Sequence, residues 1–187
     1  MTLEEMKKKY LSLIEELNPK SEHLTDDPDI AEKQNEVTNQ VMFELSRVKK
    51  IPKYVEKAVS AGDLITFADI EQEVGNEVYQ LEKVSGVKYE FKASGTVIKI
   101  LESGTVEIDL FVYPERITEK TNDKGYEFEL SADALEIMPY GIAADLLKSD
   151  VSAEYGSVYA TRYEAMKQQL DPRYHLNSIY IEGGVNV

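Results

Sequence analysis

The side chains of this 187-residue chain that could do chemistry are 35 carboxylates, 12 tyrosines and two histidines; cysteine and tryptophan are absent. Without cysteine there is no disulfide framework, thiolate zinc site, iron–sulfur cluster or cysteine nucleophile. A serine triad needs a histidine held in place by structure. His23 falls in a polar linker and His175 near the end of the chain, so both are expected to be ordinary surface residues. No GxSxG, GxGxxG or GxxxxGK[ST] motif occurs, and Gly62, Gly75, Gly86, Gly95, Gly104 and Gly125 are spaced like strand turns. Asp26, Asp27 and Asp29 resemble the start of a calcium loop. Counting from Asp26, however, the sixth and twelfth places hold Ala31 and Val37, where an EF-hand needs Gly and Glu. Helix capping accounts for all three acids. Glu127 with Glu129, or Glu107 with Asp109, could serve as a hydrolase pair only if held ~5–9.5 Å apart, and the expected reading is a solvated strand face. No cofactor or metal is expected.

The elements that must position these residues follow from periodicity. Apolar spacing predicts a helix over 2–17, stopped by Asn18-Pro19. Asp27-Pro28 is an N-cap followed by proline at the first helical position. It opens a helix over 28–49 with the stripe Ile30, Gln34, Val37, Val41, Met42, Leu45 and Val48. Ile51-Pro52 breaks it, and 52–60 is expected to form a short further helix. From Leu64 the pattern becomes β: a short strand at 64–67, then period-two segments around Val78–Val84, Val87–Phe91, Val97–Ile100, Val106–Val112 and Tyr126–Leu130. Glycine-containing turns between them suggest an antiparallel meander with one face toward a core. Helical period returns after Ser131, a candidate N-cap. It is interrupted by Pro139, runs on to 148, and resumes over 151–170 behind Asp150 or Ser152. There Tyr155, Tyr159, Tyr163, Met166 and Leu170 form a stripe expected to pack on the sheet or to meet another subunit, with Ser157 and Arg162 on the polar side.

The expected fold is therefore α+β: a single domain over 1–170, terminal helices packed together, and an antiparallel β insert of meander or sandwich type over about 64–130. Residues 171–187, with a short apolar alternation at Ile179-Tyr180-Ile181, read as a C-terminal arm, flexible or docked on a partner. The net charge of −14 argues against wrapping a nucleic-acid backbone. No run approaches the ~20 apolar residues of a membrane helix, and the N-terminus lacks the pattern of a signal peptide, which favours the cytoplasm.

The stretch Ser131–Leu170 carries a resemblance. Ala134-Leu135 leading into Met138-Pro139-Tyr140, then Ala143-Ala144-Asp145-Leu146-Leu147, then Tyr155-Gly156 and Arg162-Tyr163-Glu164-Ala165-Met166 resemble the C-terminal helical pair of tailed-bacteriophage head–tail connector (adaptor or neck) proteins. Glu77–Val84 and Tyr113–Thr118 resemble the β insert of that group. The resemblance implies a non-catalytic virion protein, assembled in the host bacterial cytoplasm. It would form a ring under the portal protein and dock neck or tail proteins, while DNA passes through without specific binding; no membrane is involved. Tyr140, Asp145, Tyr155, Arg162 and Tyr163 are the matched positions. With Tyr174, Ile179, Tyr180 and Ile181 of the arm they are the interface candidates. The competing expectation is a non-catalytic β-sandwich module for a small ligand or carbohydrate, using exposed Tyr79, Tyr89 and Tyr113.

Overall fold

A computed structural model describes residues 1–148 and 153–170. The expected capping of 149–152 and the arm at 171–187 lie outside the described residues. The fold is α+β, with two apolar cores that meet at Ile51.

The first core is helical. Helix α1 (Leu3–Leu13) opens on a capping box, in which Thr2 accepts from the Glu5 amide and Glu5 accepts from the Thr2 amide. It ends four residues short of the expected 17, where Glu15 takes a positive φ of 62°. Helix α2 (Pro28–Val48) is capped by Asp27, whose carboxylate accepts from the Asp29 and Ile30 amides, as its position before proline predicts. Helix α4 (Ala132–Leu146) runs unbroken through Pro139. The expected interruption there is corrected: α4 is buried among α1, α2 and α5 (Ala153–Lys167), and this packing outweighs the ~3 kcal/mol that an internal proline costs. Ser131 stands at the N-cap of α4, but its side chain makes no capping bond.

The second core is built from residues of two three-stranded antiparallel sheets. One orders β1 (Ile51–Val59), β6 (Gly104–Val112) and β3 (Val78–Ser85). The other orders β2 (Leu64–Thr66), β5 (Val97–Ile100) and β4 (Tyr89–Lys92). This corrects the meander, because β6 pairs with β1 and β3 rather than with its predecessor β5. Ile98, Ile100, Val106, Ile108, Leu110 and Val112 belong to this core, and helix α3 (Phe67–Val74) adds Ile70.

Two further expectations are corrected. Residues 51–59 form a strand, not a helix. Ile51, Val55 and Val59 turn toward the cores; Lys53 and Lys57 alternate with them, Lys57 exposed, and reach Glu129 and Glu73, both at 3.8 Å. Pro52 is tolerated because β1 is an edge strand. Residues 126–130 alternate as expected, with Tyr126, Phe128 and Leu130 buried and Glu127 and Glu129 exposed. Yet they pair only through a Thr2–Glu127 bridge, because they lie against the helical core.

The two cores are joined at the end of α2. Arg47 donates to the Tyr113 hydroxyl through Nε (2.7 Å) and through its terminal nitrogen. Tyr79 donates to the Ser46 carbonyl at 3.1 Å. Lys50 donates to Gln80 at 3.2 Å and lies 4.3 Å from the Phe111 ring centre. These contacts turn a single-chain crossing into a fixed joint.

One backbone position is sterically committed. Gly86 has φ +88°, and a Cβ there would stand 2.1 Å from the Thr105 carbonyl oxygen. Gly86→Ala is expected to lower unfolding stability by about 2–4 kcal/mol in urea titration. Gly62→Ala, with φ +99° but open space, should cost only about 1 kcal/mol.

Candidate functional surface

The surface that gathers most of the interface candidates is built on the antiparallel pair α4–α5. Gly141 lets the pair close: a Cβ there would lie 2.9 Å from both the Tyr163 ring and Val41. Tyr163, only 5% exposed, therefore slots between α4 and α2. Its hydroxyl donates to the Glu44 carboxylate at 3.0 Å, and Lys167 donates to the same carboxylate. Burial, then the Glu44 charge, pushes the Tyr163 phenol well above its ordinary value. Tyr159 donates to the Leu13 carbonyl and ties α5 to the end of α1. The tyrosine stripe thus packs on helices, not on the sheet.

The outer flank of α5 is different. Tyr155 is 71% exposed and Val158 62% exposed. Arg162 continues this line, its guanidinium 4.3 Å from the centre of the Tyr140 ring. Such a stack is worth about 0.5–1 kcal/mol at an exposed site and holds the Tyr140 ring in place. On its other side Tyr140 lines a groove of about 510 Å³ between α1 and α4, walled by Leu13, Leu17 and Pro139 and edged by Lys8, Lys9 and Glu136. A second hollow, of about 380 Å³, shares Leu13 and runs past Leu147 to Tyr155 and Tyr159.

The structure therefore brings Tyr140, Tyr155 and Arg162 onto one face. Asp145 lies on α4, half-buried, paired with Lys148 at 3.6 Å. Tyr163 is an internal tie between α5 and α2, so its ring is spent within the chain. Tyr174, Ile179, Tyr180 and Ile181 lie outside the described residues. Sequence reasoning missed Val158, although its place three residues after Tyr155 and four before Arg162 marks it as the middle of the same helical line.

Among the described residues no group of three or more His, Asp or Glu could hold a metal ion. Asp27 is occupied by capping, and Glu129 reaches Asn76 and Lys53. Glu107 and Asp109 project on the outer face of β6; Glu107 stands opposite Glu56, and Asp109 opposite Tyr54 and Lys83. The tyrosines expected to be exposed on a ligand-binding sheet are not. Tyr113 is buried at the joint, Tyr79 is half-buried and hydrogen-bonded, and Tyr89 is half-buried edge-on to Phe91. Among the described residues no helix is long and apolar enough to cross a membrane. No known protein family and no curated protein matches the chain.

Proposed function

We propose that this chain is a non-catalytic virion protein, a head–tail connector subunit. It forms a ring beneath the portal protein and docks neck or tail proteins, and DNA passes through without specific binding. Assembly takes place in the host bacterial cytoplasm. The observation that carries this reading is the outer flank of α5. A large aromatic and a valine stand exposed beside a stacked Arg–Tyr pair, on a helix that packs against the body through Gly156, Tyr159 and Tyr163. Exposed aromatics with arginine are the composition of interface centres.

A ring needs two different surfaces that meet head to tail. The α5 flank supplies one. Exposed Leu64, Phe91 and Leu101 around the small sheet supply the other, held at a fixed distance by the Arg47–Tyr113 joint. The charge of −14 suits a wall past which DNA phosphates slide. The resemblance of 131–170 to connector helices points the same way.

The test is co-sedimentation of the full chain with purified portal protein. Wild type is expected to pellet with the portal. Tyr155→Glu combined with Val158→Glu should lower that affinity at least ~10-fold, with an unchanged melting temperature because both side chains are exposed. A wild type that stays in the supernatant, or a double variant that binds as well as wild type, overturns the proposal.

A further inference from the structure

We infer that two copies of this chain pair antiparallel through the free edge of β4, about a two-fold axis at Phe91. The other three edge strands are blunted against such pairing. β1 carries Pro52, Lys53 and Lys57, and Lys57 reaches Glu73 of α3. β3 breaks register twice along β6. β2 has three residues and runs straight into α3. β4 has neither proline nor bulge, and among the described residues it pairs with β5 alone. Its lysine, Lys92, stands two residues from Glu90, and Phe91 between them is exposed. The direction of the free backbone groups follows from the ladder. Lys88 accepts from the Leu101 amide at 2.8 Å. Ile100 is bonded on its far side, its amide donating to the Asp63 carbonyl and its carbonyl accepting from the Gly62 amide. The alternation of an antiparallel pair then makes Glu90 with Lys99 a hydrogen-bonded pair, and turns the N–H and C=O of Tyr89 and Phe91 away from β5.

The charges choose the occupant and the register. Turned antiparallel on itself about Phe91, the run Glu90-Phe91-Lys92 sets Phe91 against Phe91 of the second copy, where the two exchange backbone hydrogen bonds. It also sets each Glu90 against Lys92 of the other copy. A register centred on Glu90 opposes two carboxylates instead, and one centred on Tyr89 runs into the turn at Gly86, with its φ of +88°. Within one chain Glu90 already pairs with Lys92 at 2.9 Å and with Lys99 at 3.5 Å. The second copy therefore extends an alternating, solvent-facing network and strands no lone charge. A contact this short makes a weak dimer. The pairing does not depend on the connector reading. Phe91 also belongs to the second ring surface of that reading, under which the pairs are the free form and part before a ring closes.

The test is sedimentation velocity of the full chain, without portal, in a dilution series from about 1 mM. Wild type is expected to dimerise with a Kd below ~1 mM. Glu90→Lys alone and Lys92→Glu alone each place like charges across the axis twice, and each should weaken self-association at least ~10-fold. In an equimolar mixture of the two variants opposite charges face each other again at both positions. A heterodimer at least ~10-fold tighter than either variant's own dimer is therefore expected. A second variant leaves the charges untouched. Phe91→Cys introduces a single cysteine into a cysteine-free chain. Opposite residues of a hydrogen-bonded pair lie ~5.5 Å apart, within disulfide reach. It should oxidise to a linked dimer at least ~10-fold faster than Leu64→Cys, at the exposed far edge of the same sheet. A wild type that stays monomeric throughout overturns the inference. So does a charge variant that self-associates like wild type, a mixture that does not pair, or equal oxidation rates at 91 and 64. Portal binding plays no part in these measurements, so their failure leaves the connector reading standing, and its failure leaves the pairing standing.

Discussion

Raising the pH above 10 is expected to unfold this protein steeply, and the tyrosines set the slope. Burial pushes the phenols of Tyr10, Tyr126 and Tyr163 well above their ordinary value of 10.0, and that of Tyr79 up to about 12. Tyr10 is wholly buried, its hydroxyl donating to Gln34 at 3.0 Å. Above pH 10 the unfolded chain releases these protons while the folded chain keeps them. The unfolded state then binds fewer protons, so stability falls as pH rises; below pH 10 both states hold the protons and this contribution is fully present. Tyr10 alone withdraws about 1.4 kcal/mol per pH unit above 10, and Tyr126 and Tyr163 act in the same direction. A domain stabilised by about 5–15 kcal/mol should therefore unfold cooperatively within one to three pH units; exposed tyrosines such as Tyr155 ionise first in the native state, and the last tyrosinate absorbance rises together with the loss of circular dichroism. Ionisation of all 12 tyrosines while the circular dichroism stays native would contradict the buried placement of these rings.

Asn39→Leu should be the most damaging single polar substitution. Asn39 is 2% exposed on α2 and embraces the backbone of Ile117. Its amide donates to the Ile117 carbonyl at 2.8 Å, and its side-chain oxygen accepts from the Ile117 amide at 2.8 Å. Leucine would fill the space but leave a buried backbone donor and a buried acceptor unsatisfied, each costing about 1–3 kcal/mol. A loss of about 3–4 kcal/mol in urea titration is expected. Gln40→Leu, one position along and exposed, should stay within about 0.5 kcal/mol. The contact also carries structural information. It pins the segment between β6 and α4 to the helical body, and so sets where α4, and with it Tyr140, begins.

The ends of elements were legible where one residue type has one physical use. Asp27 before Pro28 marked the start of α2, and Asn122–Gly125 marked a turn that closes through bonds from the Gly125 and Tyr126 amides to the Asn122 carbonyl. Period-two runs located β5 and β6 because each alternates into the sheet core; β3 adds Val78 and Val84, and β4 only Tyr89. Strand β1 was missed because Lys53 and Lys57 interrupt the row of Ile51, Val55 and Val59. The two lysines pair with Glu129 and Glu73, acids distant in sequence, which no local pattern announces. Pairing order was equally invisible, since β6 recruits β1 and β3 across long sequence separations. Helix α3 was missed although Thr66 and Asp69 form a capping box, because its eight residues bury only Ile70. On the candidate surface, helical spacing placed Tyr155 and Arg162 on one line. It could not separate Tyr163, sunk against Gly141, from Tyr155, which stands in solvent; that difference is made by α2 and α4, not by α5 itself.

The central claim is that this chain works by associating through its surfaces. Native mass spectrometry of the full chain titrated into assembled portal protein tests it most directly. The account predicts one dominant complex that carries a fixed number of several copies per portal and whose composition does not change with excess chain. A chain that remains a single copy, free of the portal at every ratio, would contradict it.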